Sequence, residues 1–405
     1  MPDVGFTNLF AVALIALLAP LLLGLAPRLR VPAVVLEIVA GIVLGPHGLR
    51  VIDVDLPLQI VSLLGLGFLL FLAGLEIDVH RLRGQVLRLA VLGYLLTLLL
   101  GSLAGLGLSA VGWVHSALLL AVTLSATSLG LVVPVLKDAR QAEGTVGQFT
   151  IAAASVADFA AVLVLSLVFS TEGGSAGERL VMVGLFAVLV AVTGIAVATA
   201  GRSQRIGGVL LRLQDTTAEI RVRAAVVLLV AFVALAEQFG LETILGAFLA
   251  GAVVGLIDRD ATSHPRFRIK LEALGYGFLI PVFFVTSGLR LDLRGLIEDP
   301  VALVRVPLFL LALLVVRGVP AYLAVRTLGT RATAAAALLQ ATSLPFIVTA
   351  TQIGVATGLM TPVTAAALVC AGLLSVLLFP AVALVLLKRA VADRSGRAEP
   401  RPASR

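Results

Sequence analysis

Long apolar runs separated by short charged connections set the pattern of this chain. Thirteen runs read as helical membrane spans, at about 7–26, 31–46, 57–75, 89–111, 114–136, 145–170, 180–201, 224–241, 243–257, 273–289, 301–325, 332–354 and 359–387. A helix needs roughly 20 apolar residues to cross a bilayer core, so the runs at 31–46 and 243–257 are short. The run from Thr7 to Pro27 lacks a basic n-region and a small-residue cleavage site, and is read as a retained first helix. The expected fold class is an all-α membrane protein.

Composition agrees with the pattern. Of 405 residues, 60% are hydrophobic and 13% charged, with a mean hydropathy of +1.12, far too apolar for a soluble domain of this length. The net charge of +7 does not indicate nucleic acid, because the basic residues lie in short loops and form no single patch or tail. Their distribution instead sets topology. With the N-terminus outside, 24 of the 30 Lys and Arg residues fall in cytoplasmic segments; only Arg50, Arg179, Arg290, Arg294 and Arg305 lie outside, and Arg317 lies within a span. The expectation is a multi-pass protein of the cell membrane with its N-terminus outside and its C-terminus in the cytoplasm. Cys370 stands alone, which excludes an internal disulfide. His47, His80, His115 and His264 are scattered without metal-ligand spacing.

Three short matches recur in the same order. AGIVLG at Ala40–Gly45 returns as AGAVVG at Ala250–Gly255, GLEID at Gly74–Asp78 as GLRLD at Gly288–Asp292, and ATSL at Ala126–Leu129 as ATSL at Ala341–Leu344. The offsets of 210, 214 and 215 residues pair span 2 with 9, 3 with 10 and 5 with 12. A shift of seven spans reverses orientation, so two inverted six-helix repeats are expected, with a site near the midplane where they meet. Repeat one covers about 7–170, a linker helix about 180–201 and repeat two about 224–388. Residues 1–388 then form one membrane domain, and the basic stretch 389–405 reads as a short disordered tail.

Two charges stand where lipid makes them expensive. Asp158 is the only charge between Thr145 and Ser170, roughly 18–20 Å from either end at ~1.5 Å per residue. A carboxylate at that depth needs a partner, an ion, a proton or a water cavity, and it points to transport. Arg317, within LLVVRGVPAYLA, keeps its proton and needs an anion or a wet route. Either Asp158 and Arg317 partner each other, or Arg317 neutralises negative helix ends; the sequence leaves both open. Spans 5 and 12 both read as broken helices. The first carries Thr123, Ser125, Thr127, Ser128 and Gly130 with Pro134 after them; the second carries Gln340, Thr342, Ser343 and Pro345. Crossing half-helices would aim both kinds of dipole end at the centre, and freed carbonyls and hydroxyls can take a small cation. The alternative is hydroxyls bonded back to their own helices. Thr127 and Ser128 are therefore candidate ion or proton ligands beside Asp158, with Ser125, Gln340, Thr342, Ser343 and Pro345 lining the breaks. Glu37, about 9 Å into span 2, is a candidate gate or packing residue. Glu237 and Glu242 read as interfacial.

VPAVVLEIVAGIVLGPHGL at Val31–Leu49 resembles a segment of the monovalent cation–proton antiporter-2 family, which includes Kef-type potassium and NapA-like sodium antiporters. LLFLAGLEID at Leu69–Asp78, GAFLAGAVVG at Gly246–Gly255 and PVFFVTSGLRLDL at Pro281–Leu293 are similarly characteristic, and the resemblance spans roughly residues 7–388. It implies a homodimer of thirteen-helix subunits with a dimerisation domain and a core domain that carries the ion in an elevator-like motion. It implies that Asp158 is the essential carboxylate, that Arg317 is the basic residue of the core, and that Thr127, Ser128, Thr342 and Ser343 lie in unwound segments. Where the family often has Asn or Asp before that carboxylate, this chain has Ala157. A single carboxylate favours one-for-one, electroneutral exchange. The stretch after Lys388 is too short for the nucleotide-binding domain of Kef-type members, so no such domain in cis is expected.

The leading functional expectation is exchange of Na⁺ or K⁺ for protons, with no cofactor and no enzymatic activity. A sodium-coupled organic-anion carrier of the same inverted-repeat class is the alternative. A gated pore lacks a ring of like polar residues, and an aspartyl intramembrane protease would need a second deep carboxylate.

Overall fold

The computed structural model describes residues 5–25, 31–76, 84–138, 140–168, 176–202, 219–257 and 265–398. Arg28, Arg30, Arg81, Arg83, Arg205, Arg212, Arg259, His80, His264 and the Ile77–Asp78 end of the GLEID motif lie outside the described residues.

Helices occupy the predicted segments. α1 Thr7–Leu25, α2 Ala33–Leu44, α3 Leu56–Leu75 and α4 Gly84–Ala110 come first. α5 Ala117–Ser125 and α6 Leu129–Asp138 share the fifth segment. α7 Thr145–Val168, α8 Ala176–Arg202, α9 Ile220–Gln238 and α10 Thr243–Ile257 follow. α11 Pro265–Leu274 continues through a π turn, Gly275–Leu279, into α12 Ile280–Leu289. After the short α13 Leu293–Glu298, α14 Pro300–Leu313 passes through a π turn, Leu314–Gly318, and a 3-10 stretch, Val319–Ala324, to α15 Val325–Leu328. α16 Thr330–Ala341 and α17 Pro345–Ala356 share the twelfth segment, and α18 Pro362–Ala398 is last. Among the described residues, eight helical stretches are long and apolar enough to cross a membrane, accompanied by four shorter apolar helices.

Local chemistry explains several helix starts. Asp55 caps α3 by accepting the Leu58 N–H at 3.0 Å, and Ser116 caps α5 through the Leu119 N–H at 3.2 Å. α1 leaves Phe10, Leu14, Leu17, Leu21 and Leu25 exposed at helical spacing, an outward apolar face that only lipid or another apolar surface accommodates. Two boundaries differ from the sequence reading. α11 adds a polar, charged helix ahead of the apolar run that begins near residue 273. α18 continues to Ala398, into the stretch read as a disordered tail, because Lys388–Ala398 is rich in Ala, Lys and Arg, and the next proline is Pro400.

The chain forms two compact units, Met1–Val79 with Val162–Leu291, and His80–Ala161 with Asp292–Arg405. Each takes helices from both expected repeats, and the division falls within α7.

In the first unit, glycines let backbones touch. A Cβ on Gly251 of α10 would lie 1.8 Å from the Phe71 carbonyl oxygen, and one on Gly74 of α3 would lie 2.0 Å from that of Phe248. α2 and α12 meet the same way: Gly41 faces the Val285 oxygen at 2.1 Å and Gly288 the Ile38 oxygen at 2.2 Å. Gly255 against Leu75 is likewise matched by Gly45 against Leu289. Every residue in the α3–α10 contact has its counterpart in the α2–α12 contact at an offset of 210 or 214. Close approach of small residues replaces a hydrophobic drive that lipid does not provide.

In the second unit, α6 and the start of α7 pack Leu129, Val132, Val146 and Phe149 into one cluster with Leu328, Ala335, Leu339, Ala383 and Leu387. Gly105 of α4 abuts the Ala117 carbonyl of α5, where a Cβ would lie 2.2 Å from the oxygen.

Gly251→Ala should lower thermal stability in detergent by at least ~1–3 kcal/mol, because backbone must move to admit the methyl group. Gly67→Ala on α3, where a Cβ meets nothing within 4 Å, should leave the melting temperature unchanged or raise it. A melting series on the two variants checks both outcomes.

Candidate ion-binding site at the broken helices

Both ATSL segments are unwound. Between α5 and α6, Ala126–Ser128 leave the helix, with Ala126 extended at φ −82°, ψ 158°. Between α16 and α17, Thr342–Leu344 do the same, and α17 restarts on Pro345. Proline needs no N–H partner at a helix start. The two breaks touch: the Ser128 N–H donates to the Thr342 carbonyl at 3.0 Å, and the Thr127 hydroxyl donates to the Gln340 carbonyl at 2.7 Å.

Thr127 is the hub. Its backbone N–H donates to Asp158 Oδ1 at 3.0 Å. Its hydroxyl accepts from the Arg317 guanidinium, through Nε at 2.9 Å and through Nη2. Arg317 Nη1 also donates to Thr97 on α4 at 3.3 Å. The π turn at Leu314–Gly318 carries Arg317 inward, where it is 2% exposed. The carboxylate and the guanidinium thus both engage the first break, at different atoms of one residue. Asp158 itself is only half-buried.

The other predicted residues divide. Ser125 and Thr342 bond back to their own helices, to the Val122 carbonyl at 2.8 Å and the Leu338 carbonyl at 3.1 Å. Gln340 Nε2 and Ser343 Oγ are buried with no hydrogen-bond partner among the described residues. Ser128 is 7% exposed. Glu37 lies in the first unit on α2, 5% exposed, and makes no side-chain hydrogen bond or ion pair among the described residues. Glu242 lies between α9 and α10; its N–H donates to Ser166 at 3.3 Å, and burial pushes its carboxyl above the usual carboxylate range.

Three polar residues, Ser375, Tyr94 and Thr97, escaped the sequence reading. Ser375 of α18 supports the second break, accepting the Ser343 N–H at 3.2 Å and donating to the Ser343 carbonyl at 3.1 Å. Gly372 beside it leaves room, since a Cβ there would lie 3.0 Å from that carbonyl oxygen. Tyr94 and Thr97 of α4 reach Ser125 at 3.2 Å and Arg317. Each is an isolated polar group in an apolar helix, a signal weaker than a charge but present.

The family described as "Sodium/hydrogen exchanger, transmembrane" matches residues 13–388. The chain belongs to the sodium/hydrogen exchanger family. Its relatives are transporters and not enzymes. A Bacillus subtilis protein assigned by name as the Na(+)/H(+) antiporter YjbQ is 33% identical over 369 residues, 87% of this chain and 58% of that one. "Probable Na(+)/H(+) antiporter 3" of Methanocaldococcus jannaschii is 30% identical over 281 residues, 67% of this chain and 68% of that protein. The glutathione-regulated potassium-efflux system protein KefC of Salmonella schwarzengrund is 29% identical over 391 residues, 94% of this chain and 60% of its own length. The chain thus spans about three-fifths of YjbQ and of KefC. The fold is similar to that of the sodium proton antiporter MjNhaP1 from M. jannaschii, with a TM-score of 0.66, 17% identity, and coverage of 98% and 99% of the two chains.

In this chain, Thr127→Val keeps the peptide N–H for Asp158 but strips the buried guanidinium of its main acceptor. The variant should lose ~2–5 kcal/mol of stability, whereas Thr127→Ser should retain most of it. Thermal melts of the purified proteins compare them directly.

Proposed function

We propose that this exchanger-family chain swaps a monovalent cation, Na⁺ or K⁺, for protons by competition at Asp158. One observation carries the reading: a half-buried carboxylate at span mid-depth docks on an unwound segment where two interrupted helices meet. Among the described residues no group of three His, Cys, Asp or Glu converges. A cation would therefore be held by one carboxylate, with hydroxyls and carbonyls completing its shell. Ser343 Oγ, buried and unpartnered, is suited to that task, as is the side-chain oxygen of Gln340; Ser128 and Thr127 supply further oxygens. Proton and cation each carry one charge, so occupancy of the carboxylate by one excludes the other. With Ala157 in place of a second polar group, the exchange is one-for-one and electroneutral.

Arg317 serves structure in this reading. Its charge passes through the Thr127 hydroxyl to the Gln340 carbonyl in the last turn of α16, the negative end of a half-helix. Asp158 takes an N–H that leads into α6, the positive end of another. The organic-anion alternative needs a free guanidinium, and Arg317 is engaged on three nitrogens.

Thirteen spans in two inverted repeats underlie the fold in this proposal. The matched glycine contacts of α3–α10 and α2–α12 support the duplication. So does Ser375, which serves the second break roughly 217 residues after Asp158 serves the first. The compact unit that holds both breaks moves as a body with its ion, in an elevator-type alternation. The protein is placed in the cell membrane as a homodimer, N-terminus outside, C-terminus cytoplasmic, with Glu37 as a gate or packing residue.

Asp158→Asn should insert and fold normally yet abolish cation-driven proton efflux from reconstituted vesicles; residual exchange by the mutant would refute the proposal. Exchange by the wild type should be indifferent to a clamped membrane potential, and voltage-dependent rates would exclude electroneutrality. Arg317→Ala should lower the melting temperature or shift the pH profile more than it reduces turnover of folded protein. Complete loss of transport at unchanged thermal stability would contradict its structural role.

A further inference from the structure

Away from the broken helices, the second unit contains a cavity of about 250 Å³. It is lined by the turn between α4 and α5, the start of α14, and the turn between α17 and α18. That volume falls below the ~300–1,000 Å³ of sites for drug-sized ligands and suits a small group. Its chemistry centres on Arg305. The guanidinium lies over Trp113 at 5.5 Å from the ring centroid, and Nη1 donates to the Thr364 hydroxyl at 3.0 Å. Thr364 in turn donates to the Trp113 carbonyl at 3.2 Å and shares a 2.9 Å hydrogen bond with Thr361. Arg305 Nε, by contrast, is buried without any acceptor.

A buried charged donor left unpaired is costly and calls for a partner. Nothing in the transport reading uses it. Asp299 lines the same cavity but forms no ion pair with Arg305; its Oδ1 accepts the Val301 N–H at 2.9 Å as the cap of α14. His115 is the other titratable group on the wall. The cation is thus held in a fixed orientation by an aromatic face and a hydroxyl, lines the cavity, and has no carboxylate paired with it among the described residues. A planar guanidinium pre-oriented in this way matches a phosphate group. Tryptophan is enriched at headgroup level on both faces of a membrane.

We propose that this cavity binds a phosphate group, presented by an anionic lipid headgroup or as free phosphate, with Arg305 as its charge partner. The hydroxyls of Thr361 and Thr364 lie on the same wall, with their protons given to Thr364 and to the Trp113 carbonyl, so they orient the guanidinium and leave the charge of Arg305 to hold the phosphate. The site is independent of cation exchange, and its failure would leave the assignment of Asp158 untouched.

Trp113 is the only tryptophan in the chain, so its emission reports on this cavity alone. The full-length protein in a neutral maltoside detergent is titrated with inorganic phosphate and, separately, with short-chain phosphatidylglycerol. At least one ligand should change the emission saturably, and R305Q should weaken that midpoint tenfold or more. Thr364→Val, which loosens the guanidinium without removing charge, should weaken it several-fold and covers the case in which R305Q does not fold. Saturation by the lipid alone identifies a headgroup site; saturation by phosphate without competition from the lipid identifies a free-anion site. No saturable change with either ligand, or equal midpoints in wild type and both variants, overturns the proposal.

Discussion

A helix interrupted at bilayer depth exposes N–H and C=O groups that lipid cannot satisfy. The second unit solves this problem twice and ties both solutions to Thr127. Its N–H goes to Asp158, its hydroxyl receives Arg317, and the same hydroxyl bonds the last turn of α16. Ser128 then bonds the second break directly through its own N–H. Both deep charges are accommodated because each meets a polar group of the interrupted helices. The sequence left open whether they partner each other or serve the helix ends. The geometry brings Arg317 to a hydroxyl that bonds a helix end, while Asp158 remains half-buried.

The first unit meets a different constraint. Helices in lipid gain little from hiding apolar side chains, so contact depends on how closely backbones approach. Gly251 against Phe71 and Gly74 against Phe248 leave no room for a methyl group, and neither do Gly41 and Gly288 across α2 and α12. These glycines form a large part of the repeated motifs themselves. The recurrence of AGxVxG and GLxxD therefore has a packing cause: two equivalent helix pairs need the same small residues at the same places. A resemblance in sequence and a resemblance in contact are one fact seen at two levels.

Much of the site was legible because charges, prolines and clustered hydroxyls are rare in apolar helices. Asp158 and Arg317 announced themselves as charges, and Pro345 with the duplicated ATSL located both breaks. Individual hydroxyls were less legible. Thr342 and Ser125 bond their own helices, as an isolated Ser or Thr commonly does. Thr97 also bonds back, to the Gly93 carbonyl at 3.0 Å, yet its oxygen still accepts Arg317. A back-bonded hydroxyl is therefore not an idle one, and only a neighbouring helix reveals its second partner. Ser375 was hidden for the same reason, since its Oγ donates to Gly372 as well as to Ser343. Helix ends were the least legible feature: polar turns extend α11 and α18 beyond the apolar runs that marked them.

The asymmetry between the two breaks has a functional logic. At the first, the backbone N–H of Thr127 is met by a carboxylate; at the second, that of Ser343 is met by the hydroxyl of Ser375. A carboxylate can lose its proton and take a cation instead, whereas a serine hydroxyl stays neutral across the physiological range. A second carboxylate here would place two negative charges close together at one crossing, an expensive arrangement. One carboxylate and one hydroxyl give both breaks a structural partner while leaving a single titrating seat. In the proposed exchange the fixed charge of Arg317 would not change with that seat's occupant, so the surrounding field would stay constant while proton and cation compete. Under that proposal, selectivity among cations falls to neutral oxygens around the breaks, and Ser343 Oγ is one that has no hydrogen-bond partner among the described residues.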